Sequence, residues 1–467
     1  MSPQNLVWLK METSDTPMHL GVLATFKIPA KADKDYLSDL ATSMREGGEA
    51  VAPWNQRLSF SGEGILGSRL LKDDHFSLDH HFRHSALPQP GGEKELGILV
   101  SRLHSNPIVR DGPLWELHLI EGIAGRRYAF YLKVHHALIG DVNLLETFMA
   151  SLSTTARQRD VRPIWTLPLP NKQGEEDEAS DDNLAEHGID TSGANNGIDQ
   201  FKSVMKPYTF EALKKSAFQL PALSAQFSRN APRSTLNRKI NGQRRFSTFH
   251  IELARIQTLA DATQSDRKQV LIYLCGTALR RFFKEYNSLP DESLIAMAPV
   301  SVSALGDTES VRVLKLLRLP LATDVGDPLS RLEVIKASLN KARQVARTLP
   351  TPLSDGYNIV QSINMFSKQL MGVGRFVPKG FNLTISSTDG CDSALFLKGA
   401  RLETIYPMNH LMQFSALSID CVNYGGTLNV GVVGARDTLP HLQRIAVYLG
   451  TALNELEELV LGDEVVS

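Results

Sequence analysis

Tyr128-Ala-Phe-Tyr-Leu-Lys-Val-His135-His136-Ala-Leu-Ile-Gly140-Asp141 is the stretch from which the rest of the chain can be read. Its first seven residues are apolar and aromatic with a strand's character, and a glycine closes the segment. The run therefore delivers two histidines to a strand end. Side chains alternate along a strand, so His135 and His136 are expected to point to opposite faces. A shared metal is poor geometry for such a pair, and none is expected. One imidazole is left to face a cleft, where a neutral ring serves as a general base near neutral pH.

Outward from this segment, composition narrows the options. The chain has 467 residues, long enough for two cores, and its 42% hydrophobic content fills them. With 50 basic and 51 acidic side chains the net charge is -1, which argues against bulk attraction to nucleic acid. The cysteines Cys275, Cys391 and Cys421 lie far apart, with neither disulfide nor zinc spacing, as suits a reducing cytoplasm. The start, Met1-Ser-Pro-Gln-Asn-Leu-Val-Trp8, lacks a signal peptide's pattern, and no apolar run reaches the ~18 residues of a spanning helix. Contact with lipid is therefore expected to be peripheral.

Periodicity gives an α/β (mixed α+β) class with two blocks, each a mixed sheet flanked by helices. In the first block, 1–170, residues 20–28 read as a strand, and 35–44, 93–103 and 143–152 as helices. Residues 171–201, containing Lys172-Gln-Gly-Glu-Glu-Asp-Glu-Ala-Ser-Asp-Asp182, are acidic and poor in large apolar side chains, which predicts a disordered linker. The second block, 202–467, opens with basic residues, Lys202 to Arg245, that suit CoA phosphates or anionic headgroups. Its strands are expected at 246–253, 411–421 and 427–434, the last two joined through Asn423-Tyr-Gly-Gly426. Residues 269–282 read as a buried helix. Asp327-Pro-Leu-Ser starts another, with Leu332, Ile335, Leu339 and Ala342 on its inner stripe. A final helix is expected from Asp437 or Thr438, with Leu442, Ile445, Leu449, Leu453 and Leu456 facing the core.

Beyond these patterns, Lys133-Val-His-His-Ala-Leu-Ile-Gly-Asp141 resembles the HHxxxDG signature of bacterial wax ester synthase/diacylglycerol acyltransferases. Gly112-Pro-Leu-Trp115-Glu-Leu-His-Leu-Ile-Glu-Gly122 is similar to that family's PLWELHLIEG strand. Ala231-Pro-Arg-Ser, Arg244-Arg-Phe246, Cys275-Gly-Thr-Ala-Leu-Arg280, Ala298-Pro-Val-Ser301, Tyr406-Pro-Met and Pro440-His-Leu-Gln-Arg extend the likeness over nearly the whole chain. The resemblance implies two chloramphenicol-acetyltransferase-like domains with the active site between them. It implies transfer of a long-chain acyl group from acyl-CoA to a fatty alcohol or diacylglycerol, with no cofactor, at a membrane or lipid-body surface. His136 is then the general base, His135 its support, and Asp141 a displaced structural carboxylate; Trp115 belongs to the framework.

Four departures accompany the match. Gly140-Asp141 transposes the signature's Asp-Gly. Lys268-Gln269 stands where the family carries Asn-Asp. Ile385-Ser-Ser387-Thr-Asp-Gly390 replaces ISNVPGP, and no Gly-Asn pair follows Ser301. These changes leave open a paralogue of impaired catalysis that binds acyl-CoA or neutral lipid. A condensation-type enzyme with another acceptor is the third, weaker class.

Overall fold

The structure is a computed structural model describing residues 3–59, 68–140, 142–169, 230–303, 312–348 and 380–462. Asp141 and the expected linker at 171–201 lie outside the described residues.

In the first half, α1 (Pro3–Met11) leads into β1 (His19–Lys27) and α2 (Tyr36–Glu46). A small hairpin follows, β2 (Gln56–Ser59) with β3 (Arg69–Lys72), then α3 (Leu78–His81), β4 (Phe82–Ala86) and α4 (Glu93–Ser105). β5 (Trp115–Ile123) and β6 (Arg127–His135) form an antiparallel pair that runs into α5 (His136–Ile139) and α6 (Leu144–Ala150). The second half holds β7 (Arg244–Glu252), α7 (Leu253–Ala262), α8 (Arg267–Glu285), β8 (Ile295–Ser303), β9 (Arg312–Pro320) and α9 (Pro328–Thr348). It continues with β10 (Leu383–Cys391), β11 (Phe396–Leu397), β12 (Ala400–Met408), β13 (Leu417–Tyr424), β14 (Thr427–Ala435) and α10 (Gln443–Leu461).

Two mixed six-stranded sheets result, with orders β11-β12-β1-β6-β5-β4 and β7-β14-β13-β10-β8-β9. Strands β11 and β12, from the 202–467 block, extend the first sheet: β12 runs antiparallel along β1, pairing Leu23 with Tyr406 and Ala24 with Ile405. Both faces of that sheet are covered. Tyr128, Phe130, Leu132 and Val134 of β6 enter the first half's core, while Ala129 and Tyr131 enter the core shared with the second half. A strand buried on both faces has to be apolar nearly throughout, which is what 128–134 is.

The helices expected at 35–44, 93–103, 143–152 and 269–282 are α2, α4, α6 and α8. Asp327 caps α9 by accepting from Ser330 N–H at 2.8 Å, and Leu332, Ile335, Leu339 and Ala342 are all buried. Gly425 and Gly426 take φ of +56° and +79° in the two-residue turn joining β13 to β14, where two left-handed residues in succession favour glycine. Two boundaries differ from expectation. Residues 411–416 turn back through a Met412–Ser415 bridge, and β13 starts only at Leu417. The last helix starts at Gln443, because Leu439 and Leu442 are first drawn into the core in a turn closed by Leu439 N–H on the Ala435 carbonyl.

Candidate active site at the end of β6

β6 ends at His135, and His136 is already the first residue of α5, so the two rings do not simply alternate across a strand. His135 pairs with His19 across the sheet, and its N–H reaches the Leu114 carbonyl at 3.0 Å. That carbonyl lies beside Trp115, which links the Pro-Leu-Trp segment to the histidines through backbone. Trp115 itself is core. Its indole N–H donates to the Trp54 carbonyl at 2.7 Å, and its ring stacks on His81 and Trp165.

His135 acts as the cap of α5. Its Nδ1 accepts from Ala137 N–H at 2.9 Å, satisfying one of the donors a helix start leaves open. The bond puts any proton of the neutral ring on Nε2, which faces Glu12 Oε2 at 3.5 Å. Burial raises the Glu12 carboxyl pKa, yet His135, the Met18 amide and Arg110 more than offset it and leave it at about 2. His135 thus holds the turn that carries His136 through Nδ1, while its enclosed Nε2 has no hydrogen-bond partner among the described residues.

His136 is held by its backbone: its N–H donates to the Met18 carbonyl at 3.0 Å, and its carbonyl accepts from Gly140 N–H at 2.8 Å. Its imidazole lies flat under the Trp8 indole of α1, centroids 4.3 Å apart and planes 14° apart. His410, in the loop after β12, meets it edge to face at 4.9 Å and 87°. The residue keeps partial exposure, but both ring nitrogens are enclosed and have no hydrogen-bond partner among the described residues. Burial, with His410 and His135 nearby, pushes its pKa well below 6.5. His410 is held at about 4 by burial, His135 and Arg244. Two neutral imidazoles therefore face one another.

A polar network fixes the loop carrying His410. The fully buried Asp420 accepts from Asn409 N–H and side chain at 3.2 and 2.9 Å, from Ser386 at 2.6 Å and from Ser418 at 2.8 Å. The Asn409 carbonyl meets His104 Nε2 at 3.4 Å, and His104 Nδ1 meets the Tyr131 hydroxyl at 2.8 Å. Sequence reading missed Trp8 and His410. For His410 a signal existed: a histidine two residues past a strand end, directly after Tyr406-Pro-Met408. Nothing local marks Trp8.

The remaining candidates divide. Gly140 ends α5 with φ +54° and ψ -123°, and a Cβ there would sit 2.9 Å from Asn5 Oδ1. Lys268 and Gln269 start α8: Gln269 Oε1 accepts from Asp266 N–H in a capping box, its amide donates to Asn340 at 3.1 Å, and Lys268 Nζ reaches the Pro299 carbonyl at 2.9 Å. These bonds are internal to the second half. Ser387 pairs with Cys421 within β10–β13, while its neighbour Ser386 joins the Asp420 network.

The chain is similar to known proteins along its whole length. The wax ester synthase/diacylglycerol acyltransferase catalytic domain family matches residues 1–268, and the WS/DGAT C-terminal domain family matches 314–457. A putative diacylglycerol O-acyltransferase of Mycobacterium tuberculosis is 34% identical over 98% of this chain and 96% of its own length. A probable diacylglycerol O-acyltransferase of the same species is 33% identical, covering 98% and 99%. Among solved structures, the wax ester synthase/diacylglycerol acyltransferase of Marinobacter aquaeolei VT8 superposes with a TM-score of 0.76 at 30% identity, over 98% of this chain and 99% of that one. The first condensation domain of the CDA synthetase shares the two-domain fold, with a TM-score of 0.53 at 15% identity over 100% and 96% of the two chains. With both family domains matched and relatives alike from end to end, the chain belongs to the wax ester synthase/diacylglycerol acyltransferase family.

Proposed function

We propose that the protein transfers a long-chain acyl group from acyl-CoA to diacylglycerol or a long-chain alcohol, with His136 as general base. The observation that carries the reading is a neutral imidazole with two uncommitted nitrogens at the end of β6. His135 is the weaker choice because its Nδ1 lone pair is spent on Ala137 N–H. One His136 nitrogen takes the proton of the acceptor hydroxyl as its oxygen attacks the thioester carbonyl. The C–S bond then breaks, and the thiolate takes the proton back from the imidazolium, leaving ester and free CoA. Proton removal of this kind supplies about 10²–10⁴-fold. Trp8 covers one face of the ring, and the acceptor hydroxyl approaches a nitrogen in the ring plane.

Both lipid substrates partition into membranes, and among the described residues no helix is long and apolar enough to cross one. We therefore place the working protein peripherally, on a membrane or lipid-body surface. The Trp8–His136 stack also favours a second reading, a paralogue that binds acyl-CoA or neutral lipid with the ring covered. Purified protein given palmitoyl-CoA with hexadecanol or diacylglycerol separates the two, following CoA release and ester. Release with either acceptor that falls to background in His136→Ala supports the transferase. Binding of palmitoyl-CoA with no release supports the paralogue, and equal rates in both proteins remove His136 from the chemistry.

A further inference from the structure

Along the seam where α4 meets β7 runs a groove of about 900 Å³. The seam is stitched by polar bonds: Ser105 Oγ accepts from Arg244 N–H at 2.8 Å, and Ser101 Oγ from Phe246 N–H at 2.9 Å. These hydroxyls satisfy the outer edge of β7, an edge strand of the second sheet. The groove is thus walled by both halves of the molecule. Its floor is apolar, including Leu23, Leu96 and Phe246.

Its charge is one-sided. Lys94 and Arg102 come from α4, Arg244 and Arg245 from β7, and Arg436 from the turn after β14. The single acidic side chain in the lining, Glu93, is engaged by Arg127 at 2.9 Å. None of the five cations pairs with a carboxylate among the described residues. Arg244 is buried and spends its guanidinium on the carbonyls of Asn241, Gln243 and Asp15, and Arg436 donates to the Gln243 side chain at 3.0 Å. Arg245 differs: its Nε is enclosed and has no hydrogen-bond partner among the described residues. An enclosed, unsatisfied guanidinium nitrogen costs free energy unless something binds it, and phosphate oxygens suit a guanidinium's fixed donor geometry.

We propose that this groove receives the phosphates of the acyl donor's nucleotide end, with the pantetheine arm lying on the apolar floor toward His136. The assignment rests on the acyl-CoA reading given above. The cations run along the groove, from Lys94 at the start of α4 to Arg102 and to Arg244, whose N–H meets Ser105. From Lys94 to His104 is ten residues of α4, about 15 Å of helix. Its lining includes Ser105 and the exposed Asn106, which follow the buried His104 in the chain. His104 touches the Asn409 carbonyl, and the following residue, His410, faces His136.

The test is calorimetric titration of the whole protein with coenzyme A and with 3′-dephospho-CoA, beside the turnover assay. Two variants are compared: Arg245→Gln, and Lys94→Gln with Arg102→Gln, whose positions are exposed on α4 and leave folding intact. Losing one charge-assisted phosphate contact weakens CoA binding about tenfold. The expected result is that loss in Arg245→Gln and at least as large a one in the double variant, with a raised KM for palmitoyl-CoA and an unchanged KM for the acceptor. Wild-type turnover with CoA affinity equal in all proteins overturns the groove and leaves the transferase standing. Loss of CoA binding in the variants without turnover in the wild type keeps the groove and removes the transferase. Phosphatidylglycerol vesicles form the last arm. If the variants lose vesicle binding while CoA affinity holds, the groove is a headgroup site and the proposal falls.

Discussion

Exchanging Gly140 and Asp141 restores the order found in the family signature, and the structure sets the sign of the result. Gly140 closes α5 at φ +54° and ψ -123°, a region that a residue with a Cβ rarely adopts. Forcing such a residue there costs of order 1–3 kcal/mol. The new Cβ also lands 2.9 Å from Asn5 Oδ1 on α1, so that side chain must move as well. α1 carries the Trp8 that covers His136, and α5 carries His136 itself, so relief of the strain displaces both rings. Gly140→Asp with Asp141→Gly is therefore expected to lower Tm by about 2–12 °C, at ~2–4 °C per kcal/mol, and to slow turnover. Gly140→Ala isolates the backbone part and should show most of the Tm loss. Differential scanning fluorimetry and CoA release from palmitoyl-CoA are the measurements. An exchanged variant that turns over faster at an unchanged Tm would refute the reasoning, since the transposition would then be a defect that the native loop merely tolerates.

His135→Ala should retain more activity than His136→Ala while melting earlier, because the lost Ala137 contact is a helix cap worth about 1 kcal/mol; activity losses in the opposite order, followed by CoA release, contradict the assignment. The depressed pKa of His136 keeps it neutral below pH 6.5, so the acid limb of kcat/KM lies below that value and moves up toward it in Trp8→Ala, read from a pH–rate series. Folding stability should fall with acid from about pH 6.5 down to 3. Over that window the unfolded chain binds protons that buried His104, held at about 3, and His410, at about 4, refuse. Each contributes up to ~1.4 kcal/mol per pH unit, and urea titrations at pH 7 and 5 measure the difference.

Much of this was legible because local pattern and burial agree. The apolar run 128–134 is buried on both faces of its strand, the 332–342 stripe faces the core, and the Gly-Gly pair makes the hairpin it announces. What escaped depends on contacts between distant residues. No property of 396–408 says that these residues pair with β1 rather than with β13 beside them in sequence. The bonds that Lys268 makes to the Pro299 carbonyl and Gln269 to Asn340 likewise depend on residues far apart in sequence. Trp8 and His410 join His136 only through the packing of α1 and the end of β12. Asp420 shows why spacing alone was silent: four donors converge on it from β10, β13 and the loop between β12 and β13.

The crossing of β11 and β12 into the first sheet decides which parts of the molecule travel together. His410 hangs from the end of β12, and β12 is bonded along β1, the strand next to β6. The sheet pairing therefore brings the two imidazoles together although about 270 residues of chain separate them. The Asn409 bonds to Asp420 tie the same loop to β13, so His410 is anchored to both sheets at once. The same crossing makes the gene poor material for dissection. A fragment ending near residue 170 would bare the β1 edge as an open template for aggregation, and a fragment beginning near 202 would carry two strands with no sheet to join. Co-expression of the two pieces, by contrast, should return a complex clasped by that borrowed hairpin.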